Sequence, residues 1–365
     1  MKDSVLNVVI IGCGAIAKKK HLPAISKNPN LHIKGLYNPT VQTAELCRAE
    51  FGCEDAKVYT DVHDMLNCSD VDVVFICSPN QFHSCYAVEA LNNGKHVICE
   101  KPMSSDFHSA QIMLNASLQN RKLLHISYQN RYTNQALYAK QLIQEGFLQN
   151  IYYAKAYALR RRAVPNWGMS GKKNQGGGPL IDIGTHAIDL ALWLCDSFEP
   201  ESVVGSTYNY LAHKGSYANY WGNWDFAHYE TEDLAVGLVR MKNGMTLSVE
   251  ASYALNISRE MEASVDLFGE KGGLELRQED GLTLIHEMGG QMVISRNDIQ
   301  KTMRSLTPSF LTQSPSEREN EAVVKMLMDG STFDPSAAQA LEVERIIAGL
   351  YRSAQEHREV RFQSV

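Results

Sequence analysis

The sequence predicts two domains: an α/β domain whose parallel sheet carries helices on both faces, and an α+β domain with an open antiparallel sheet. Three observations predict it. From Val5 to about Ser127, short β-branched runs alternate with amphipathic stretches, the pattern of parallel strands joined by crossover helices. After residue 150 the runs lengthen and alternate apolar with polar residues, as half-buried antiparallel strands do. A chain of 365 residues with 44% hydrophobic content supplies two cores. The boundaries read as 1–127 and 128–365, with the closing helices free to pack back on the first domain.

In the first domain, strands are expected at Val5–Ile11, Leu31–Leu36, Val71–Cys77, Lys95–Cys99 and Leu123–Ile126. Those at 71 and 95 are nearly continuous apolar runs, as strands buried on both sides require. In the second domain, alternating strands are expected at Ile151–Arg161, Ser202–Tyr210, Asp233–Met241, Met245–Tyr253 and Glu262–Phe268. Asn243-Gly244 between two of them reads as a hairpin turn with positive φ at both residues, and Gly272-Gly273 as a second turn. Ile181–Leu194 keeps a helical period, and helices at about Ser316–Met328 and Ala337–Ala354 close the chain. A sheet covered by helices on one side leaves an apolar second face, so a homo-oligomer is expected, a dimer or a tetramer of two dimers.

Composition excludes several classes of partner. A net charge of −6 gives no pull toward nucleic acid or anionic lipid. The apolar run after Asp3 breaks at Gly12 and is followed by Lys18, Lys19 and Lys20, which reads as a buried first strand and not a signal peptide. No segment approaches the roughly 18 apolar residues of a membrane helix, so a soluble chain with no membrane partner is expected. Seven of the eight cysteines precede residue 100, and none forms a CxxC or a Cys/His cluster with zinc spacing. Cys13, Cys77 and Cys99 lie in or beside apolar strands as small hydrophobes, which points to a reducing, cytoplasmic compartment and no structural metal.

Three motifs carry chemistry. Gly12-Cys13-Gly14-Ala15-Ile16-Ala17 follows a strand and opens a helix. Gly12 permits the tight turn, Gly14 admits a pyrophosphate, Ala17 keeps helix and strand close, and the helix start offers N–H groups. At the end of the next strand an NAD enzyme normally has an acidic residue for the ribose, whereas this chain has Asn38, which neither repels nor captures a 2′-phosphate. NAD is therefore expected, with NADP left open. The second motif is Glu100-Lys101-Pro102 at the end of a parallel strand, where the proline stiffens the turn that presents Lys101. The third is Gly176-Gly177-Gly178-Pro179-Leu180-Ile181-Asp182-Ile183-Gly184-Thr185-His186-Ala187-Ile188-Asp189, which puts Asp182, His186 and Asp189 on one helical face. A histidine paired with a carboxylate accepts a proton from an alcohol as hydride leaves, and a nearby ammonium stabilises the alkoxide. The plainer alternative is a capping Asp182 and a core His186.

Together and in this order, these motifs resemble the glucose–fructose oxidoreductase/inositol dehydrogenase/MocA (GFO/IDH/MocA) family. Further marks of the resemblance are Ser78-Pro79-Asn80 with His83, Gln129-Asn130-Arg131-Tyr132, and Glu232-Asp233 at the entry to a strand. The resemblance implies a Rossmann domain and a catalytic group of Lys101, Asp182 and His186. It further implies cofactor contacts from the Gly12–Ala17 turn with Ala15 and Ile16, from Ser78, Pro79, Asn80, His83, Glu100, Lys101 and Asn130, and from Trp167. Lys101, Trp167, Asp182 and His186 are the implied substrate contacts. Arg160, Arg161 and Arg162 cannot all face one side of a strand; the favoured reading is solvated strand-edge charge, and the alternative is that Arg160 or Arg162 reaches substrate. The His213–Tyr229 loop, with Tyr217, Tyr220, Trp221, Trp224, Phe226 and Tyr229, suits sugar stacking, a subunit contact, or both.

The expected function is reversible oxidation of a secondary hydroxyl of a sugar, glycoside or inositol, with either His186 or Lys101 taking the proton. One alternative keeps this site but uses oxidation at C3 to prepare a glycoside for cleavage by elimination. The other is a non-catalytic dinucleotide-binding sensor, which the retained lysine and histidine disfavour.

Overall fold

In the computed structural model, residues 5–166, 175–215, 218–278, 281–297 and 312–363 are described. They group into two compact units, Met1–Gln129 with Gln313–Leu341, and Asn130–Thr312 with Glu342–Val365.

In the first unit β1 (Leu6–Ile11), β2 (Leu31–Tyr37), β3 (Lys57–Tyr59), β4 (Val73–Ile76), β5 (His96–Glu100) and β6 (Leu124–Ser127) form one parallel sheet in the order β3-β2-β1-β4-β5-β6. The winding reverses between β1 and β4, which makes a crevice at the carboxyl ends of those two strands. Alternate side chains feed two cores. Val8, Ile10, Phe75 and Ile98 pack with α1 (Leu22–Lys27) and α2 (Val41–Glu50). Val9, Ile11, Val74 and Val97 pack with α3 (Val62–Leu66), α4 (His83–Asn92) and α5 (Phe107–Asn120). Helices therefore cover both faces, as the continuous apolar runs require. The sequence reading missed β3, an edge strand of three residues and too short to show a period.

In the second unit β7 (Ile151–Leu159), β8 (Pro200–Tyr208), β9 (Leu234–Met241), β10 (Thr246–Ser252), β11 (Met261–Gly269), β12 (Gly272–Arg277), β13 (Gly281–Met288), β14 (Gln291–Asn297) and β15 (Val360–Arg361) form one sheet. Its order is β14-β13-β12-β11-β7-β10-β9-β8-β15. The sheet is mixed and not wholly antiparallel, because β7 and β10 pair in parallel at its centre. Four strands follow the expected end at Phe268, three beside β11, and β15 at the opposite edge. Gly272-Gly273 opens β12, and the turn lies one step earlier at Glu270-Lys271. The β9–β10 hairpin forms where expected, but only Gly244 has positive φ (+88°); Asn243 instead accepts the Met245 N–H through Oδ1 at 3.1 Å.

Ala154, Ala156, Leu247, Val249, Val265 and Leu267 point to the side on which α6 (Asn134–Gln144) and α7 (Thr185–Cys195) pack. The chain closes with α8 (Pro315–Met328), begun by a Ser314/Glu317 capping box, and α9 (Pro335–Glu356). Val323 of α8 joins one core of the first unit, and Ala337 and Ala340 of α9 join the other. Ile346, Ile347 and Leu350 of α9 join the core of the second unit. Among the described residues, no helix is long and apolar enough to cross a membrane, and no His/Cys/Asp/Glu group is placed to hold a metal ion.

Candidate active site

The first unit supplies a dinucleotide cradle. Gly12 has φ +92°, and a Cβ there would lie 2.7 Å from the Cys77 carbonyl oxygen, so only glycine lets β1 run this close to the loop after β4. A Cβ on Gly14 would point into open space. Gly14, Ala15 and Ile16 are exposed where the helix begins, whereas Ala17 is buried against the sheet. Backbone N–H groups at an open helix start are what a pyrophosphate binds. Cys13 N–H donates to Asn38 Oδ1 at 3.1 Å, and Asn38 Nδ2 donates to the Thr40 carbonyl at 3.1 Å. Asn38 thus braces the glycine turn, and a ribose could use only its second lone pair and second amide hydrogen. Across the crevice, the buried Ser78 hydroxyl has no hydrogen-bond partner among the described residues. An open glycine turn and an orphaned hydroxyl on either side of the β1/β4 crevice fit NAD.

Ser78, Pro79 and Asn80 lead through a single 3₁₀ turn into α4, whose first residue is His83. His83 is buried, with Nε2 2.8 Å from the Ser78 carbonyl and Nδ1 2.8 Å from that of Pro102. Burial lowers its pKa, and the two carbonyls only partly oppose this. His83 therefore ties the Ser78 loop to the Lys101 turn. Lys101 stands half-buried just after β5 and precedes Pro102 through a cis peptide bond. Glu100 is buried beneath it, with Oε1 2.8 Å from His21 Nε2 and Oε2 accepting the Lys101 N–H at 3.2 Å. Burial alone would raise the Glu100 pKa, but the His21 hydrogen bond and the charges of Lys20 and Lys101 hold it well below the usual range. Glu100 thus acts as a support for the lysine turn.

The second unit carries the two candidate acid–base residues, Asp182 and His186. A Cβ on Gly177 would lie 2.1 Å from Tyr351 Oη, and one on Gly178 would lie 2.3 Å from the Glu232 carbonyl oxygen, so this glycine run is set by close passage. Glu232 anchors the turn, accepting from Gly178 N–H at 2.9 Å, Leu180 N–H at 3.1 Å and Tyr351 Oη at 2.8 Å. Its burial raises its pKa against those donors. The chain then makes a π-helical turn, Leu180–Gly184, before α7. From Gly177 to Leu192, Asp182 and His186 are the only residues not buried. This buried stretch thus opens at two titratable side chains.

Asp182 is not a helix cap. Its Oδ2 accepts a 2.7 Å hydrogen bond from Tyr253 Oη. The fully buried Tyr253 has its pKa pushed well above the ordinary value, by burial first and the Asp182 carboxylate second. Arg160 forks onto Glu262, with Nη2 3.2 Å from Oε2, and lies within electrostatic reach of Asp182. It is largely buried, unlike a solvated strand edge. Asp189 is fully buried and paired with Arg131, whose Nε donates to Oδ2 at 2.9 Å. Despite the shared helical period, Asp189 serves the interior. Asn130 is buried and accepts from Gln278 Nε2 at 3.2 Å. Trp167 lies outside the described residues. Sequence reasoning missed Tyr253, Glu262 and the anchoring role of Glu232, because each acts on a residue distant in sequence and no local spacing marks it.

Comparison with known proteins identifies the family. Residues 6–128 match the oxidoreductase family with an NAD-binding Rossmann fold, and residues 136–275 match the GFO/IDH/MocA C-terminal domain. The chain is 31% identical over 356 residues to D-glucoside 3-dehydrogenase of Escherichia coli, covering 97% of each chain. It is 28% identical over 291 residues to levoglucosan dehydrogenase of Pseudarthrobacter phenanthrenivorans, covering 75% of this chain and 74% of that one. Among solved structures, levoglucosan dehydrogenase in complex with NADH has the same fold, with a TM-score of 0.83 at 21% identity over 99% of this chain and all of that one. Matches to both domain models and a relative aligned over nearly its whole length place this chain in the GFO/IDH/MocA family of NAD-dependent oxidoreductases.

Proposed function

We propose that the chain reversibly oxidises a secondary hydroxyl of a sugar, glycoside or inositol, with C3 of a D-glucoside as the first position to test. The observation that carries this reading is that, from Gly177 to Leu192, Asp182 and His186 alone are half-buried in an otherwise buried stretch, with Tyr253 bonded to Asp182. The similarity to D-glucoside 3-dehydrogenase over the whole chain supports the substrate class. His186 accepts the hydroxyl proton, the Lys101 ammonium holds the oxygen and stabilises its developing charge, and Asp182 orients and charge-balances the pair. Bound NAD supplies the hydride acceptor. Tyr253 keeps one Asp182 oxygen occupied, so the carboxylate is held in one orientation. The reading is tested by screening sugars, glycosides and inositols for reduced-nicotinamide absorbance with NAD and NADP. A D-glucoside should give a 3-keto product with NAD, and silence across the panel would refute the reading.

The same reading includes a homodimer, or a tetramer of two dimers, formed on the sheet face opposite α6 and α7. Val204 and Leu238, paired across β8 and β9, and Met292 and Ile294 on β14 at the other edge are each at least half exposed on that face, apolar surface that a subunit contact would cover. The eight cysteines, none of them in a disulfide, support a reducing, cytoplasmic setting.

A further inference from the structure

We infer that His21 is a positioning residue for the oxidation step, holding Lys101 through Glu100 from the same helix that opens the dinucleotide cradle. The inference rests on the sugar-hydroxyl reading above, in which the Lys101 ammonium holds the reacting oxygen.

His21 closes the π-helical turn Ala17–His21, which continues the helix that Ala15 and Ile16 begin. Lys18 N–H bonds the Gly14 carbonyl at 3.1 Å, whereas Leu22 N–H reaches back five residues to the Ala17 carbonyl. Lys18, Lys19 and Lys20 stay partly or wholly exposed, and His21 turns inward. Its ring is 6% exposed and meets Phe75 of β4 edge to face at 5.8 Å. Nε2 lies 2.8 Å from Oε1 of the equally buried Glu100. Glu100 is ionised and only accepts, so the nitrogen facing it donates. Burying a polar pair is costly, and apolar side chains of similar volume would fill the space as well or better, so packing does not account for it.

The second Glu100 oxygen accepts the Lys101 N–H at 3.2 Å. One residue on, the Pro102 carbonyl lies 2.8 Å from His83 Nδ1, and His83 Nε2 lies 2.8 Å from the Ser78 carbonyl. Two histidines therefore grip the backbone on either side of Lys101, His21 through Glu100 before it and His83 at Pro102 after it. Each belongs to a wall of the cradle. His21 lies on the helix whose start suits a pyrophosphate, and His83 holds the loop with the orphaned Ser78 hydroxyl. The backbone that aims the Lys101 side chain is thus fixed to the elements that seat the dinucleotide. Deleting the donor to Glu100 loosens that aim, and a misplacement of about 1 Å costs about a hundredfold in rate.

The test measures single-turnover hydride transfer, with the best substrate of the sugar panel, together with NADH affinity. It compares the wild type, His21→Leu, His21→Gln, Lys101→Ala and the double variant His21→Leu/Lys101→Ala. Leucine keeps apolar packing against Phe75 and deletes the donor; glutamine keeps a donor and gives up the ring. His21→Leu should slow hydride transfer about ten- to a hundredfold with NADH affinity within about twofold of the wild type, and His21→Gln should bring the rate back to within about fivefold. In the Lys101→Ala background, His21→Leu should cost less than about twofold more, because both changes act on one group. Equal rate losses in His21→Gln and His21→Leu, a parallel loss of NADH affinity, or full additivity in the double variant would overturn the inference and leave His21 a packing residue. Near wild-type hydride transfer in His21→Leu would overturn it alone, with the sugar reading intact. A wild type that oxidises nothing in the panel, or a Lys101→Ala variant as fast as the wild type, would overturn the reading beneath it and the inference with it.

Discussion

Tyr253 donates its hydroxyl to Asp182 across 2.7 Å, from a fully buried position to a carboxylate that is only half-buried. The bond holds one carboxylate oxygen in a fixed orientation. Tyr253→Phe keeps the ring and deletes the bond. Turnover should fall about ten- to a hundredfold, the range for a hydrogen bond to a charged group. A variant with wild-type turnover would show that Tyr253 serves packing alone.

Asn38 already spends Oδ1 on Cys13 N–H and Nδ2 on the Thr40 carbonyl. Asn38→Asp keeps the acceptor for the glycine turn and adds a negative charge where a 2′-phosphate would lie. The ratio of kcat/KM for NAD over NADP should rise about tenfold or more. Asn38→Ala removes the brace and should weaken both cofactors alike. An unchanged ratio in Asn38→Asp would mean that the ribose is read elsewhere.

His125 in β6 lies between two carboxylates, with Nδ1 2.6 Å from Asp334 Oδ2 and Nε2 3.1 Å from Glu319 Oε1. Burial lowers its pKa, but Asp334 and Glu319 outweigh it and raise the value to about 9. The folded pKa exceeds the unfolded value of about 6.5, so this stabilisation is complete below pH 6.5 and is lost as pH rises through about 9. The thermal stability of the wild type should fall as pH rises between those values. His125→Gln should be less stable at about pH 6 by about 3–5 kcal/mol, the cost of breaking a buried pair, and should show a flatter pH response. Equal pH slopes in the two proteins would contradict this.

Much of the fold was legible because it is written in local period and turn chemistry. The β1 and β4 runs alternate between two buried faces, and the Gly12 turn sits where the sheet winding reverses. The parallel β7–β10 pair was not legible, because register between strands so far apart in the chain leaves no local mark. Lys101, Asp182 and His186 stood out by motif. Glu100, however, turned out to serve His21 and the lysine turn, and Asp189 to serve Arg131. A carboxylate's role depends on the partner it meets in space, and spacing alone does not separate Asp182 from Asp189.

Leu238 is half exposed on β9, on the side of the sheet away from α6 and α7. Placing a charge there should split an isologous dimer built on this face while the glycine turn still binds cofactor. Light scattering should give a dimer or tetramer for the wild type and a monomer for Leu238→Arg, with NADH affinity unchanged. A wild-type monomer at micromolar concentration would exclude the interface.

The central claim, that Lys101, Asp182 and His186 act on one hydroxyl, is tested most directly by single-turnover reduction of NAD with the best substrate from the sugar panel. Lys101→Ala and His186→Ala should each slow the chemical step by about two to four orders of magnitude, and His186→Ala should bind NADH like the wild type. Near wild-type turnover in either variant would contradict the account.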